Sequence, residues 1–231
     1  MNIKIASTLL YTLLILIGSM NSLQAQSTEE ASLSYYKQLE LAYESIGELK
    51  EGALVVVLRS YNRKIKEMNR LLKSSSVSGT DKARLQQQLR ETIAERDADN
   101  REFLQAFQNN YDFSKCFVMY DTAAAQLKSG VTAGYLLDNN LKPDPSISLE
   151  ELSIYVVRVG SLDASTTSGF EALIVADNNF DNLEKPFPYF VRLRGIGSLI
   201  NKIFDSKKSH RKQATDLVIK LNEAFWKFYE E

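Results

Sequence analysis

The chain has 231 residues, 44% of them hydrophobic, with 28 basic and 29 acidic side chains and a net charge of −1. A balance this near neutrality predicts neither a nucleic-acid footprint nor a strongly acidic field, and four prolines and ten glycines argue against a disordered or repetitive chain. One cysteine, Cys116, rules out an intrachain disulfide, and with one histidine, His210, a zinc site would need several carboxylates.

Residues 1–25 read as a secretory signal peptide. Lys4 gives a minimal positive start, Leu9–Ile17 is almost wholly apolar, and small and polar residues lead to a cleavage point at Ala25-Gln26. The apolar core is about half of the roughly 20 residues a membrane span needs. No cysteine follows it to accept a lipid, and no later stretch is long and apolar enough to cross a bilayer. The expected location is therefore the periplasm or the cell exterior, with no stable membrane span after cleavage. The remaining chain, 26–231, carries 27 basic and 29 acidic residues, and its length suits a single domain with a sizeable core.

Ser27 to Lys50 reads as a helix, with Ser27 and Glu30 at capping-box spacing and Tyr36, Leu39, Tyr43, Ile46 and Leu49 as its apolar stripe. Gly52 ends it. Gly52–Arg59 (Gly-Ala-Leu-Val-Val-Val-Leu-Arg) then has the short, β-branched, continuously apolar character of a strand buried on both faces, the centre of an α/β sheet. Ile65, Met68, Leu71 and Leu72 mark a second helix, Ser74–Thr80 a turn, and Asp81–Asn109 a long polar helix whose apolar side holds Leu85, Leu89, Ile93, Phe103, Leu104 and Phe107. The stripe is weakest at Arg96–Asn100, where the helix is expected to bend or leave the body of the protein. These helices form a hairpin whose length allows parallel pairing of 53–58 with 116–120 through a right-handed crossover.

Lys115–Tyr120 reads as a buried strand with Cys116 as a small apolar thiol, and Asp121–Lys128 as a short helix closed by Gly130. Strand patterns follow at Gly134–Leu137, Ile154–Val159, Ala172–Ala176 and Tyr189–Leu193, with Gly160–Gly169 as a mobile loop. Asp138-Asn139-Asn140-Leu141 and Asp177-Asn178-Asn179-Phe180 share a turn chemistry in which asparagine tolerates positive φ. Leu199, Ile200, Ile203 and Phe204 suit a short helix. Ala214, Leu217, Leu221, Ala224, Phe225 and Phe228 form the cleanest amphipathic stripe, expected to pack across the sheet. The predicted architecture is an α/β domain: a mixed sheet of about five strands, a charged helical hairpin insertion, and flanking N- and C-terminal helices.

Few residues carry chemistry. His210 lies in a basic stretch with no orienting carboxylate, so no triad is predicted. Asp177, Asn179 and Asp181 alternate as calcium ligands do, but Asn182 stands where the turn glycine belongs and Pro188 where the bidentate glutamate belongs, so a turn is expected. Gly160-Ser161 and Ser168-Gly169 match no phosphate-binding fingerprint. The adjacent Glu150 and Glu151 diverge in any regular element. Lys207, Lys208, Arg211 and Lys212 are candidates for contact with an anionic lipid or polysaccharide, against the commoner reading of a solvated charge run. Phe187, Tyr189 and Phe190, with Pro186 and Pro188 suited to a sheet edge, are the candidates for surface recognition, against a core strand with a rigid lead-in.

The segments Gly52-Ala-Leu-Val-Val-Val-Leu-Arg, Gly169-Phe-Glu-Ala-Leu-Ile-Val-Ala-Asp and Lys185-Pro-Phe-Pro-Tyr-Phe-Val-Arg together resemble a family of uncharacterised exported proteins of Gram-negative, Bacteroidetes-type bacteria. The resemblance covers most of residues 50–230 and implies one exported domain, with no activity to carry across. Where such relatives often have Cys-Pro, this chain has Cys116-Phe117, which counts against a reactive thiol. No catalytic, cofactor or metal residue is expected. The function expected is a non-catalytic binding or interaction domain of the periplasm or envelope, its partner an envelope protein or a small molecule. The alternatives are a hydrolase or transferase with a carboxylate or tyrosine site assembled from distant positions, such as Tyr120, Asp121, Glu171 or Asp177, and a structural subunit of an envelope assembly.

Overall fold

A computed structural model describes residues 33–75, 77–162, 171–192 and 207–231, of which 171 and 207–211 are described by backbone alone. In chain order the elements are α1 (33–51), β1 (Ala53–Leu58), α2 (Asn62–Lys73), α3 (Gly79–Asn110), β2 (Lys115–Tyr120), a 3-10 turn at Asp121–Ala123 running into α4 (Ala124–Lys128), β3 (Ile154–Ser161), β4 (Glu171–Asp177), β5 (Phe190–Arg192) and α5 (Lys207–Glu230). The signal-peptide reading, the Ser27–Glu30 cap, most of the Gly160–Gly169 loop and the short helix at 199–204 lie outside the described residues.

The five strands form one mixed sheet in the order β2-β1-β3-β4-β5. β1 pairs in parallel with β2, Ala53 facing Lys115, and with β3, Ala53 facing Ile154. β4 runs antiparallel to β3, and β5 antiparallel to β4. β1 is thus an interior strand with parallel neighbours on both sides, which explains a run with no polar alternation. Leu54, Val56 and Leu58 turn to one face, where they meet Ala42, Ile46 and Leu49 of α1, Leu104 and Phe107 of α3, and Leu217, Val218, Leu221 and Phe225 of α5. Ala53 and Val55 turn to the other, where Met119, Val156, Ala123, Leu127, Tyr135, Leu136 and Leu149 form a second cluster. Three long helices cover one face; α4 and the 130–152 segment cover the other.

Several expectations need correction. The stripe of α1 is packed only in its second half: Tyr36 is 67% exposed, and burial begins at Ala42. Gly134–Leu137 is not a strand. Gly134 sits at φ 89 and breaks the extended run, leaving isolated bridges from Leu136 to Met119 and from Leu137 to Pro143. The Leu137 amide donates to the Val118 carbonyl at 2.8 Å and so covers part of the outer edge of β2. Cys116, at the uncovered end of that edge strand, is exposed rather than a core thiol. The two Asp-Asn-Asn turns have the same hydrogen bonds, as expected, but the positive φ falls on Leu141 (61°) and Phe180 (65°), not on asparagine. α3 runs unbroken through Arg96–Asn100, and that polar stretch is where it meets the sheet: Asn100 is 6% exposed and its Nδ2 donates to the Arg59 carbonyl at 3.0 Å. The basic run 207–212 forms the first turns of the C-terminal helix.

Candidate functional site

The segment from Asp181 to Phe190 is shaped by its two prolines. The Phe187 amide donates to the Glu184 carbonyl at 3.1 Å, closing a turn, and the Tyr189 carbonyl accepts from the Val175 amide at 2.7 Å, returning the chain to β4. Pro186 and Pro188 carry no N–H and take the positions between these bonds, where none is needed. Phe187 points into the core at 3% exposure, stacked on Tyr155 at 6.5 Å between ring centres and in contact with Phe225 and Phe228. Burying a phenyl ring contributes about 1.5–3 kcal/mol, so this side chain anchors the segment. Tyr189 and Phe190 stay half-buried, their rings 4.9 Å apart at 60°.

Opposite them stands the first part of α1. Tyr35, 53% exposed, and Gln38 are one helical turn apart and face the 185–190 segment across a groove of about 420 Å³. Tyr35, Phe187, Tyr189 and Phe190 line it together with Pro186, Pro188 and Gln38, and Lys185 is its one charged lining residue. All three aromatic residues singled out in the sequence are therefore brought to one place, with Phe187 as support and Tyr189 and Phe190 presented. Tyr35, Gln38 and Lys185 were missed. A sequence signal existed for Tyr35, which lies outside the Tyr36–Leu39–Tyr43 stripe and so has no place in the packing face.

A second polar cluster occupies the C-terminal ends of the parallel strands. The Ser60 amide donates to Asp121 Oδ1 at 3.2 Å, and Arg96 donates to the Ser60 carbonyl at 3.3 Å while pairing with Asp97 at 2.7 Å. Tyr61 holds φ at 51°, a left-handed conformation that costs a bulky residue about 1–3 kcal/mol. Burial pushes the Asp99 carboxyl up to about 6, with Glu102 and Glu95 adding to the effect and Arg59 opposing it. Burial likewise raises the Tyr120 phenol. β1 lies between strands reached in opposite directions, so this edge is a topological switch point, where open parallel sheets bind ligands. Tyr120 and Asp121 meet here; Asp177 does not join them. Its Oδ1 accepts the amides of Asn179 and Asp181, both at 2.9 Å, as a turn requires.

Among the described residues, no group of three or more His, Cys, Asp or Glu side chains is placed to hold a metal ion, and no helix is long and apolar enough to cross a membrane. Of the basic candidates, Lys212 is exposed; the side chains of Lys207, Lys208 and Arg211, like that of His210, lie outside the described residues.

No family model, curated protein or solved structure matches this chain.

Proposed function

We propose that this chain is an exported, non-catalytic binding domain of the periplasm or cell envelope, and that the groove between α1 and residues 185–190 is its recognition surface. The observation that carries the reading is a set of three accessible rings, Tyr35, Tyr189 and Phe190, around a floor fixed in the core by Phe187. Rigid aromatic side chains offer large contact area at small cost in conformational entropy, which is why they concentrate in binding sites. The signal-like N-terminus and the resemblance to exported proteins support the location. Native mass spectrometry of protein purified from its own host tests the reading. The expected result is an added mass that Phe190→Ala abolishes, or a partner cross-linked in cells from a photoreactive residue at position 38. A bare chain with no cross-link overturns it.

The runner-up is a hydrolase or transferase, favoured by the half-buried Asp99, whose carboxyl burial pushes up near Arg59 at the end of β1, and by Asp121 bound to the Ser60 amide at the same end of the sheet. It requires turnover of an ester, phosphate or glycoside substrate with a pH limb near 6 that Asp99→Asn removes.

A further inference from the structure

We infer that the groove takes a small aromatic carboxylate, its ring among Tyr35, Tyr189 and Phe190 and its carboxylate against the Lys185 ammonium. The inference rests on the groove's proposed role as a recognition surface and names the ligand class. Its lining includes four aromatic residues and two prolines, so a flat aromatic guest can gain edge-to-face contacts beyond simple area burial. Tyr189 and Phe190 already stand in that relation to each other. The lining holds one cation and no acid: an anion meets a counter-charge there and a cation meets none. Lys185 is exposed, and it makes no hydrogen bond or ion pair with another described residue. Gln38 supplies a neutral amide donor on the opposite wall. A volume of about 420 Å³ lies at the lower end of the roughly 300–1,000 Å³ typical of small-molecule sites, which suits one ring with a short tail.

The test is a nuclear magnetic resonance titration of the mature chain with phenylpropionate, phenylpropanamide and phenylpropylamine, one ring in three charge states. The expected result is saturable shifts of the Tyr35, Tyr189 and Phe190 ring signals at millimolar phenylpropionate. The amide should bind roughly two- to fivefold more weakly, as the loss of a solvent-exposed ion pair implies, and the amine more weakly still. Lys185→Gln alters no packed side chain and should bring the carboxylate to the level of the amide, leaving the amide unchanged. Amide or amine binding as tight as the carboxylate, or a charge preference that survives Lys185→Gln, overturns the inference and leaves the groove a binding site. Absence of shifts with all three compounds also overturns it; the bound-mass experiment then decides separately whether the groove binds anything at all.

Discussion

Gly52 connects the first helix to the central strand in a space where no other residue fits. Its amide donates to the Glu48 carbonyl at 2.8 Å. A Cβ there would collide with the Ser153 carbonyl oxygen and lie 2.7 Å from that of Glu48, both of them backbone atoms that cannot swing aside. Gly52→Ala should therefore lower stability by about 1–3 kcal/mol, read as a lower urea midpoint at unchanged slope. Asp99 makes a different prediction. Its folded-state pKa of about 6 lies above the ordinary carboxylate value, so the stability linked to its protonation is present at low pH and is lost as pH rises through about 6. Asp99→Asn should match the wild type below pH 4 and exceed it at pH 7.5 by about 1–2 kcal/mol, a figure discounted because the carboxyl is only half-buried. Denaturant titrations at the two pH values check it, and an equal gain at both would sink the assignment. Residues of this kind were only partly legible. Gly52 announced itself as punctuation, but nothing local distinguishes Asp99 from its acidic neighbours, because its shift arises from the packing of α3 over the end of β1.

At the scale of elements, the two Asp-Asn-Asn turns show how far sequence chemistry reaches. In each, the aspartate Oδ1 accepts the amides two and four residues on: Asn140 and Lys142 for Asp138, Asn179 and Asp181 for Asp177. The echo in sequence reported a real structural likeness. What it could not report was that strain would settle on Leu141 and Phe180, which tolerate positive φ because their side chains are held: Leu141 is 9% exposed in the main core, and Phe180 packs on the second cluster with Lys128 Nζ 5.2 Å from its ring centre. Asp177→Ala removes two acceptor contacts and should cost about 1–2 kcal/mol, whereas Asp177→Asn keeps the acceptor oxygen and should recover most of it; thermal melts of the two variants separate these outcomes. α3 teaches the converse lesson. Its stripe fails at Arg96–Asn100 because that turn docks through hydrogen bonds to the Arg59 and Ser60 carbonyls rather than through apolar packing. A periodicity reading registers the interruption and gives no means of telling docking from departure.

At the scale of the molecule, the mixed five-stranded sheet and the parallel partnership of 53–58 with 116–120 were legible, since a long helical crossover leaves parallel pairing open. The groove was legible on one side only. Phe187, Tyr189 and Phe190 form an aromatic run broken only by Pro188, but the opposing side comes from a helix about 150 residues earlier, and no local pattern predicts which turn of α1 will face it. The outer hairpin is also a property of the whole. α2 buries no residue, and α3 buries none before Thr92, so the 32-residue α3, about 48 Å long, runs beyond the core with α2 beside it. Replacing residues 66–90 with a short Gly-Ser linker should remove helical circular-dichroism signal yet leave one cooperative unfolding transition. Loss of that transition would show that the hairpin is part of the core after all. A retained core would mark the hairpin as the segment to examine for the alternative role in an envelope assembly.

The covering of the sheet also imposes an order in time. Leu54, Val56, Leu173 and Val175 share one cluster with Val218, Leu221 and Phe225, residues the ribosome adds only after every described strand has been made. Trp226, the single tryptophan, fastens that last helix, donating to Asp112 at 2.8 Å beneath the Lys50 ammonium 4.1 Å from its ring centre. Until these residues leave the ribosome, that face of the sheet has only α1 and α3 over it, and the core stays open where α5 belongs. The same tryptophan is then a built-in optical clock: its emission should shift when α5 docks, marking the moment at which the core closes.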